Sequence, residues 1–268
     1  MPTTPETLFV GGGTGAGKTT LARALAVRHG LREFRVDSFW YPYAERAGET
    51  ATPPDVQWLE WTPATQAADF ERVSRFMLGY VLEDLRGLPP QPPVVVEGPQ
   101  IVPDLLPEGA NAVFLLPSPE FQRATLSPRP MPSSDPARAL AARLVKDGLW
   151  AERVAALAAE RGFPVVRVDG SRPADEIRAD VEERFAHVLA AAEPVDLAPV
   201  RRWENDNLAR NLRAWVATDD LLGSAGTAFS FACECGRRGC AERVRLTLAE
   251  YAETPRVLAP GPHGGPGS

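Results

Sequence analysis

The chain has 268 residues, 44% of them hydrophobic, and a formal net charge of -6. That supplies a core for one large domain and a small one, and it argues against the basic face that nucleic acid or an anionic membrane would need. The first apolar stretch is too short for a signal peptide, no run nears the ~20 residues of a membrane span, and the three cysteines cluster rather than forming a secreted disulfide framework, so the cytoplasm is the expected compartment.

The first predicted strand covers residues 8–10 and runs into Gly-Gly-Gly-Thr-Gly-Ala-Gly-Lys-Thr, from Gly11 to Thr19. A helix is predicted over 18–29. This is strand, glycine loop, helix, with Gly12, Gly17, Lys18 and Thr19 at the fixed positions of a Walker A loop. Gly12, Gly13, Thr14, Gly15, Ala16, Gly17, Lys18, Thr19 and Thr20 are expected to wrap the phosphates of a nucleotide. The glycines let successive N–H groups turn inward, and the helix adds its positive dipole end. Lys18 reaches the β- and γ-phosphates, and the Thr19 hydroxyl ligates Mg²⁺. Lys18 and Lys146 are the lysines among 29 basic residues, so the cradle keeps a compact ammonium where nearly every other cation is a planar guanidinium.

Further strands are predicted at 34–36, 94–96, 112–116 and 165–168, each a near-continuous apolar run of the kind buried on both faces of a parallel sheet. Helices are predicted at 63–85, 136–161 and 173–191. The alternation predicts an α/β fold, a three-layer domain over 1–190 with a five-stranded parallel sheet and its ligand at the carboxyl ends of the strands. Two acids stand just past strand ends. Asp37 is assigned to the acceptor hydroxyl, as base, and Glu97 to the water shell of Mg²⁺; the reverse assignment is open, as is a plain capping or turn role for either. Residues 118–136 are proline-rich and carry Arg129 and Arg123. They form either a lid that sets an arginine on the transferring phosphoryl group, Arg129 first and Arg123 second, or an ordinary exposed loop. Aromatic residues crowd 40–88, suited to stacking on a ring-bearing acceptor or to a helical cap's core.

Residues 191–201 read as a linker, and 202–268 as a small α+β domain: a helix at 203–218, a glycine-containing turn, a strand at 229–233, a short helix at 247–251 and a loose tail at 260–268. Cys233, Cys235 and Cys240 lie within eight residues, and His263 follows. Three thiolates and an imidazole suit a closed tetrahedral zinc site, with three reduced thiols or a labile disulfide as alternatives.

Residues 7–190 resemble the P-loop kinases of small molecules. The likeness is carried by the Walker A loop, Val36-Asp37-Ser38 after the second strand, residues 94–98, the lid and Val168-Asp169-Gly170-Ser171 after the last strand. The Val-Asp-Ser placement is most like the chloramphenicol phosphotransferase group, within a layout shared by adenylate-kinase-like and uridine-kinase-like enzymes. That resemblance implies ATP as donor, Asp37 as acceptor base and residues 170–173 near the adenine. The guanine signature Asn-Lys-x-Asp is missing. The C-terminal residues 229–263 look similar to a short module of various actinobacterial proteins. The expected activity is ATP-dependent phosphoryl transfer to a small hydroxylated acceptor. The alternatives are an ATP-binding regulatory or adaptor protein whose C-terminal module contacts a protein partner, and a slow NTPase.

Overall fold

The structure, a computed structural model, describes residues 4–218, 226–261 and 263. The glycine-containing turn expected after residue 218 and most of the tail at 260–268 lie outside the described residues. Strands β1 (Thr7–Gly12), β2 (Arg32–Arg35), β3 (Val94–Glu97), β4 (Asn111–Pro117) and β5 (Val165–Val168) form one parallel sheet in the order β2-β3-β1-β4-β5. The central strand has a neighbour on each side, Val10 lying beside Glu97 on one and Val113 on the other. The chain leaves β1 toward one edge and later returns to build the other, which opens a crevice at its carboxyl end.

Period-two alternation sends Leu8 and Val10 to one face of β1 and Phe9 to the other. The first face packs on α1 (Lys18–His29), α6 (Ala174–Arg184) and α7 (Ala186–Ala190). The second packs on α2 (Trp40–Ala47), α3 (Pro63–Arg86) and α5 (Pro136–Glu160). Both faces are covered, which is why these strands read as apolar runs. The helix predicted at 173–191 is interrupted at Phe185, which leaves helical geometry at φ −111° and buries its ring in the first cluster. The expected lid is partly helical. Ser118 caps α4 (Pro119–Leu126) by accepting from Phe121 N, Pro119 occupies the first turn, and Gln122 and Leu126 are buried. The loop behind α4 is tied down at Ser134, whose N–H donates to Asp55 Oδ1 at 2.8 Å.

The glycine loop fits its surroundings without space to spare. Gly12 has φ +116°, and a Cβ there would fall onto the Leu115 carbonyl oxygen of the neighbouring strand. Gly12→Ala is therefore expected to lower the urea midpoint by the equivalent of roughly 3 kcal/mol, from left-handed strain plus backbone collision. An unchanged midpoint would contradict this fit.

Helix α8 (Ala198–Thr218) starts inside the stretch read as linker, where Pro199 is tolerated in the first turn and Leu197 and Val200 are buried. It lies against β2, α2 and the 3-10 turn Val36–Phe39. Trp203 meets the rings of Phe34 and Phe39 at 5.6 and 5.9 Å. The sheet edge at β2 would otherwise leave N–H groups unpaired; Glu204 of α8 accepts from Glu33 N at 2.7 Å and covers it. Beyond α8, β6 (Phe229–Ala232) pairs antiparallel with β7 (Arg243–Leu246), and α9 (Leu248–Glu253) follows. Ala209, Phe231, Tyr251 and Val257 form their core. Strand β7 was unexpected: Arg-Val-Arg-Leu is short, with its arginines alternating out from Val244 and Leu246. Among the described residues no helix is long and apolar enough to cross a membrane.

Candidate functional site

The loop between β1 and α1 is held at both flanks. Gly13 N donates to Leu115 O at 2.9 Å, and Gln122 Nε2 of α4 donates to Thr14 O at 2.9 Å. Gly12, Gly15 and Gly17 all have positive φ, the conformation that a curled phosphate loop requires. Ala16 is buried, Thr14 and Thr19 are half-buried, and Thr20 is exposed. Lys18 is only 5% exposed, and its Nζ donates to Gly13 O at 2.7 Å. Burial pulls its pKa below the usual lysine value, while the carboxylates of Glu97, Asp37 and Asp147 act in the opposite sense. The ammonium thus satisfies itself on its own loop while facing three acids, an arrangement suited to a polyanion bridged by a cation.

Glu97 occupies the last position of β3, between Val10 and Arg35 in register. Its Oε1 accepts from Thr19 Oγ1 at 3.0 Å and from Arg35 Nε at 3.4 Å. Burial, then repulsion from Asp37, pushes its carboxyl up to about 7, against the opposing pull of Arg35 and Lys18. Burial pulls the Arg35 pKa down, but Glu33, Glu97 and Asp37 outweigh that and raise it, so this cation is permanent.

The raised acid has a sign for stability. The folded state holds the Glu97 proton more tightly than the unfolded chain, so its penalty is absent below the unfolded pKa near 4.5. The penalty grows as pH rises and is complete above about 7. Glu97→Gln, which keeps an oxygen for Thr19, is expected to stabilise the metal-free protein at pH 8 by on the order of 2 kcal/mol, and by little at pH 4.5. Urea denaturation at both pH values measures it, and equal midpoint shifts at the two would refute the assignment.

Asp37 lies in the 3-10 turn beyond β2 and is exposed, with Oδ1 accepting from Gln100 Nε2 at 2.7 Å. Arg129 is exposed, and its charge acts on Lys18; its N–H donates to Leu126 O in the turn that closes α4. Arg123 stands exposed on α4 itself. Gly170 abuts Phe121 of α4, and Asp169 Oδ1 closes this loop by accepting from Ser171 N at 2.9 Å.

Three residues of the site escaped the sequence reading. Gln100 steadies Asp37, Gln122 steadies the loop, and Asp147 is a fully buried acid in the field of Lys18, with Oδ1 accepting from Lys146 Nζ at 2.6 Å. Only Gln100 left a trace, in its position just past the end of a strand. Much of the aromatic cluster is core: Phe39 stacks between Phe34 and Tyr43, and the Tyr43 hydroxyl donates to Asp84 at 2.7 Å. Trp58 and Trp61 are half-buried, and Lys146 lies over the Phe70 ring.

Cys233, Cys235, Cys240 and His263 converge at the other end of the chain, their ligand atoms all within 4.8 Å of one another.

No protein-family model matches the chain, and no curated protein matches it in sequence. Solved structures do match. A shikimate kinase from Acinetobacter baumannii in complex with shikimate is 18% identical over 70% of this chain and 94% of its own, with a TM-score of 0.38. Shikimate kinases from Bacteroides thetaiotaomicron and Aquifex aeolicus match at 20% and 14% identity, with TM-scores of 0.39 and 0.37. They cover 69% and 68% of this chain, and 98% and 96% of their own.

Proposed function

We propose that the chain is an ATP-dependent phosphotransferase that moves the γ-phosphate onto a hydroxyl of a small-molecule acceptor. The observation that carries this reading is the separate use of two acids around one lysine. Glu97 is buried and engaged by Thr19, whereas Asp37 is exposed and held from behind by Gln100. A binding module would need the cradle and the metal-side acid alone.

In this reading the loop N–H groups and Lys18 bind the phosphates. The residues fit Mg²⁺, since Thr19 Oγ1 and Glu97 already share a hydrogen bond where a metal and its water shell would sit; the ion would neutralise charge on the phosphate oxygens. Asp37 orients the acceptor hydroxyl and takes its proton late. The bond from the acceptor oxygen to the γ-phosphorus forms as the bond to the β–γ bridging oxygen breaks, and ADP leaves. Arg129 is the cation of the lid, beside the transferring group, and α4 with its loop keeps water out.

The test is ADP release from ATP and Mg²⁺ across a panel of nucleosides, antibiotics and sugars. At least one acceptor is expected to raise release well above the acceptor-free rate. Turnover independent of every acceptor would replace this reading with an NTPase, and binding without turnover would replace it with a regulatory role.

A further inference from the structure

The C-terminal thiols lie outside the phosphate site, yet the loop between two of them rests on the end of the helix that supports it. We propose that Cys233, Cys235, Cys240 and His263 bind one zinc ion, and that the loop folded by this ion clamps the carboxyl end of α1. Metal occupancy thereby controls the order of the helix whose amino end is the phosphate cradle.

The ligand geometry comes first. His263 Nδ1 lies 3.6 Å from Cys240 Sγ and 3.8 Å from Cys233 Sγ. A tetrahedral zinc with sulfur at 2.3 Å and nitrogen near 2.05 Å places such atoms about 3.6 Å apart. Cys233 Sγ also receives a backbone N–H, from Ala259 at 3.4 Å. Such N–H donors are the outer-shell partners that stabilise metal thiolates. Arg237 Nη2 lies 2.9 Å from the same His263 nitrogen, and the ion would displace it. Four protein ligands close the tetrahedron, which makes the site structural and leaves no position for a substrate.

The clamp is the loop between the second and third thiols, Gly236-Arg237-Arg238-Gly239. It has no apolar side chain to bury, and both glycines have positive φ, 78° and 83°. Its order comes from its pinned ends and from hydrogen bonds, among them Cys240 N to Arg237 O at 3.3 Å. From this loop Gly239 N donates to Val27 O at 3.0 Å, and Arg238 Nε donates to Arg28 O at 3.2 Å. Arg201 of α8 adds bonds to Ala26 O at 3.2 Å and Leu31 O at 3.0 Å. Val27 and Arg28 lie in the last turn of α1, whose carbonyls a helix end leaves without intrahelical partners, whereas Ala26 O also accepts from Gly30 N and Leu31 N. Without the metal, the loop loses the anchor that holds its two donors against the helix.

The experiment uses the full chain. Metal analysis of purified protein is expected to give one zinc per chain, falling below a tenth in the C235S/C240S double variant. Removing zinc with a zinc-selective chelator, in excess Mg²⁺, is expected to speed hydrogen exchange at least tenfold at the Gly239 amide and at Gly30 and Leu31. Arg238→Ala is expected to keep its zinc while loosening the Gly30 and Leu31 amides. Folded protein without metal, or with a metal other than zinc, would overturn the site. Zinc removal that leaves those amides unchanged would overturn the clamp. Neither readout requires nucleotide, so each outcome is independent of whether the chain transfers phosphate.

Discussion

Lys18→Ala is expected to weaken binding of an ATP analogue by roughly 100-fold or more and to abolish turnover. Lys18 donates to the loop carbonyl of Gly13, and Glu97, Asp37 and Asp147 all act on it. Deleting the ammonium removes an attractive charge and leaves those acids facing the phosphates. Because the side chain is nearly buried, water cannot take its place cheaply. Lys18→Arg should fail to restore binding: Nζ donates to the Gly13 carbonyl at 2.7 Å, a contact that suits a point charge rather than a planar fork. Calorimetric titration with a non-hydrolysable analogue measures the loss, with circular dichroism as the control for folding. Undiminished ATP turnover in Lys18→Ala would sink the cradle assignment.

Asp37→Asn is expected to lower kcat by about 10² to 10³ while nucleotide affinity changes less than about threefold. The amide keeps an oxygen for Gln100, so the turn after β2 should hold its place. What it loses is the ability to accept a proton. It also removes a negative charge that helps to raise the Glu97 pKa, so Glu97 should ionise at lower pH in this variant and metal-dependent nucleotide binding should persist further into acid. A kcat equal to that of the parent, with any acceptor that supports turnover, would remove Asp37 from the chemistry and favour a role in binding alone.

Much of the architecture was legible because its signals are local. The helix predicted at 18–29 and the strand at 165–168 are found at those bounds, and the other sheet strands differ from theirs by one or two residues at an end. Continuous apolar runs between helical patterns can pack in few ways besides a covered parallel sheet. The less legible elements lack that contrast. Helix α4 is short and sits among prolines, although Ser118, Pro119 and Glu120 spell a helix start. Strand β7 has two apolar residues alternating with two arginines, too few to fix a period.

The candidate site divides in the same way. The residues of the glycine loop are contiguous, so their spacing alone specifies a curled backbone and a lysine that follows it. The pairings that turn this loop into a proposed transfer site are not contiguous. Thr19 and Glu97 are 78 positions apart, Asp37 and Gln100 are 63, and Thr14 and Gln122 are 108. The contact of Gly239 with the end of α1 spans the two halves of the chain. Local propensity carries no information about such partners, because they meet only when sheet order and helix packing bring their elements to one edge. The curled glycine loop and the doubly covered sheet could therefore be read from the chain alone. Which acid meets Thr19, what steadies the other, and where the thiol loop rests were decided by tertiary packing.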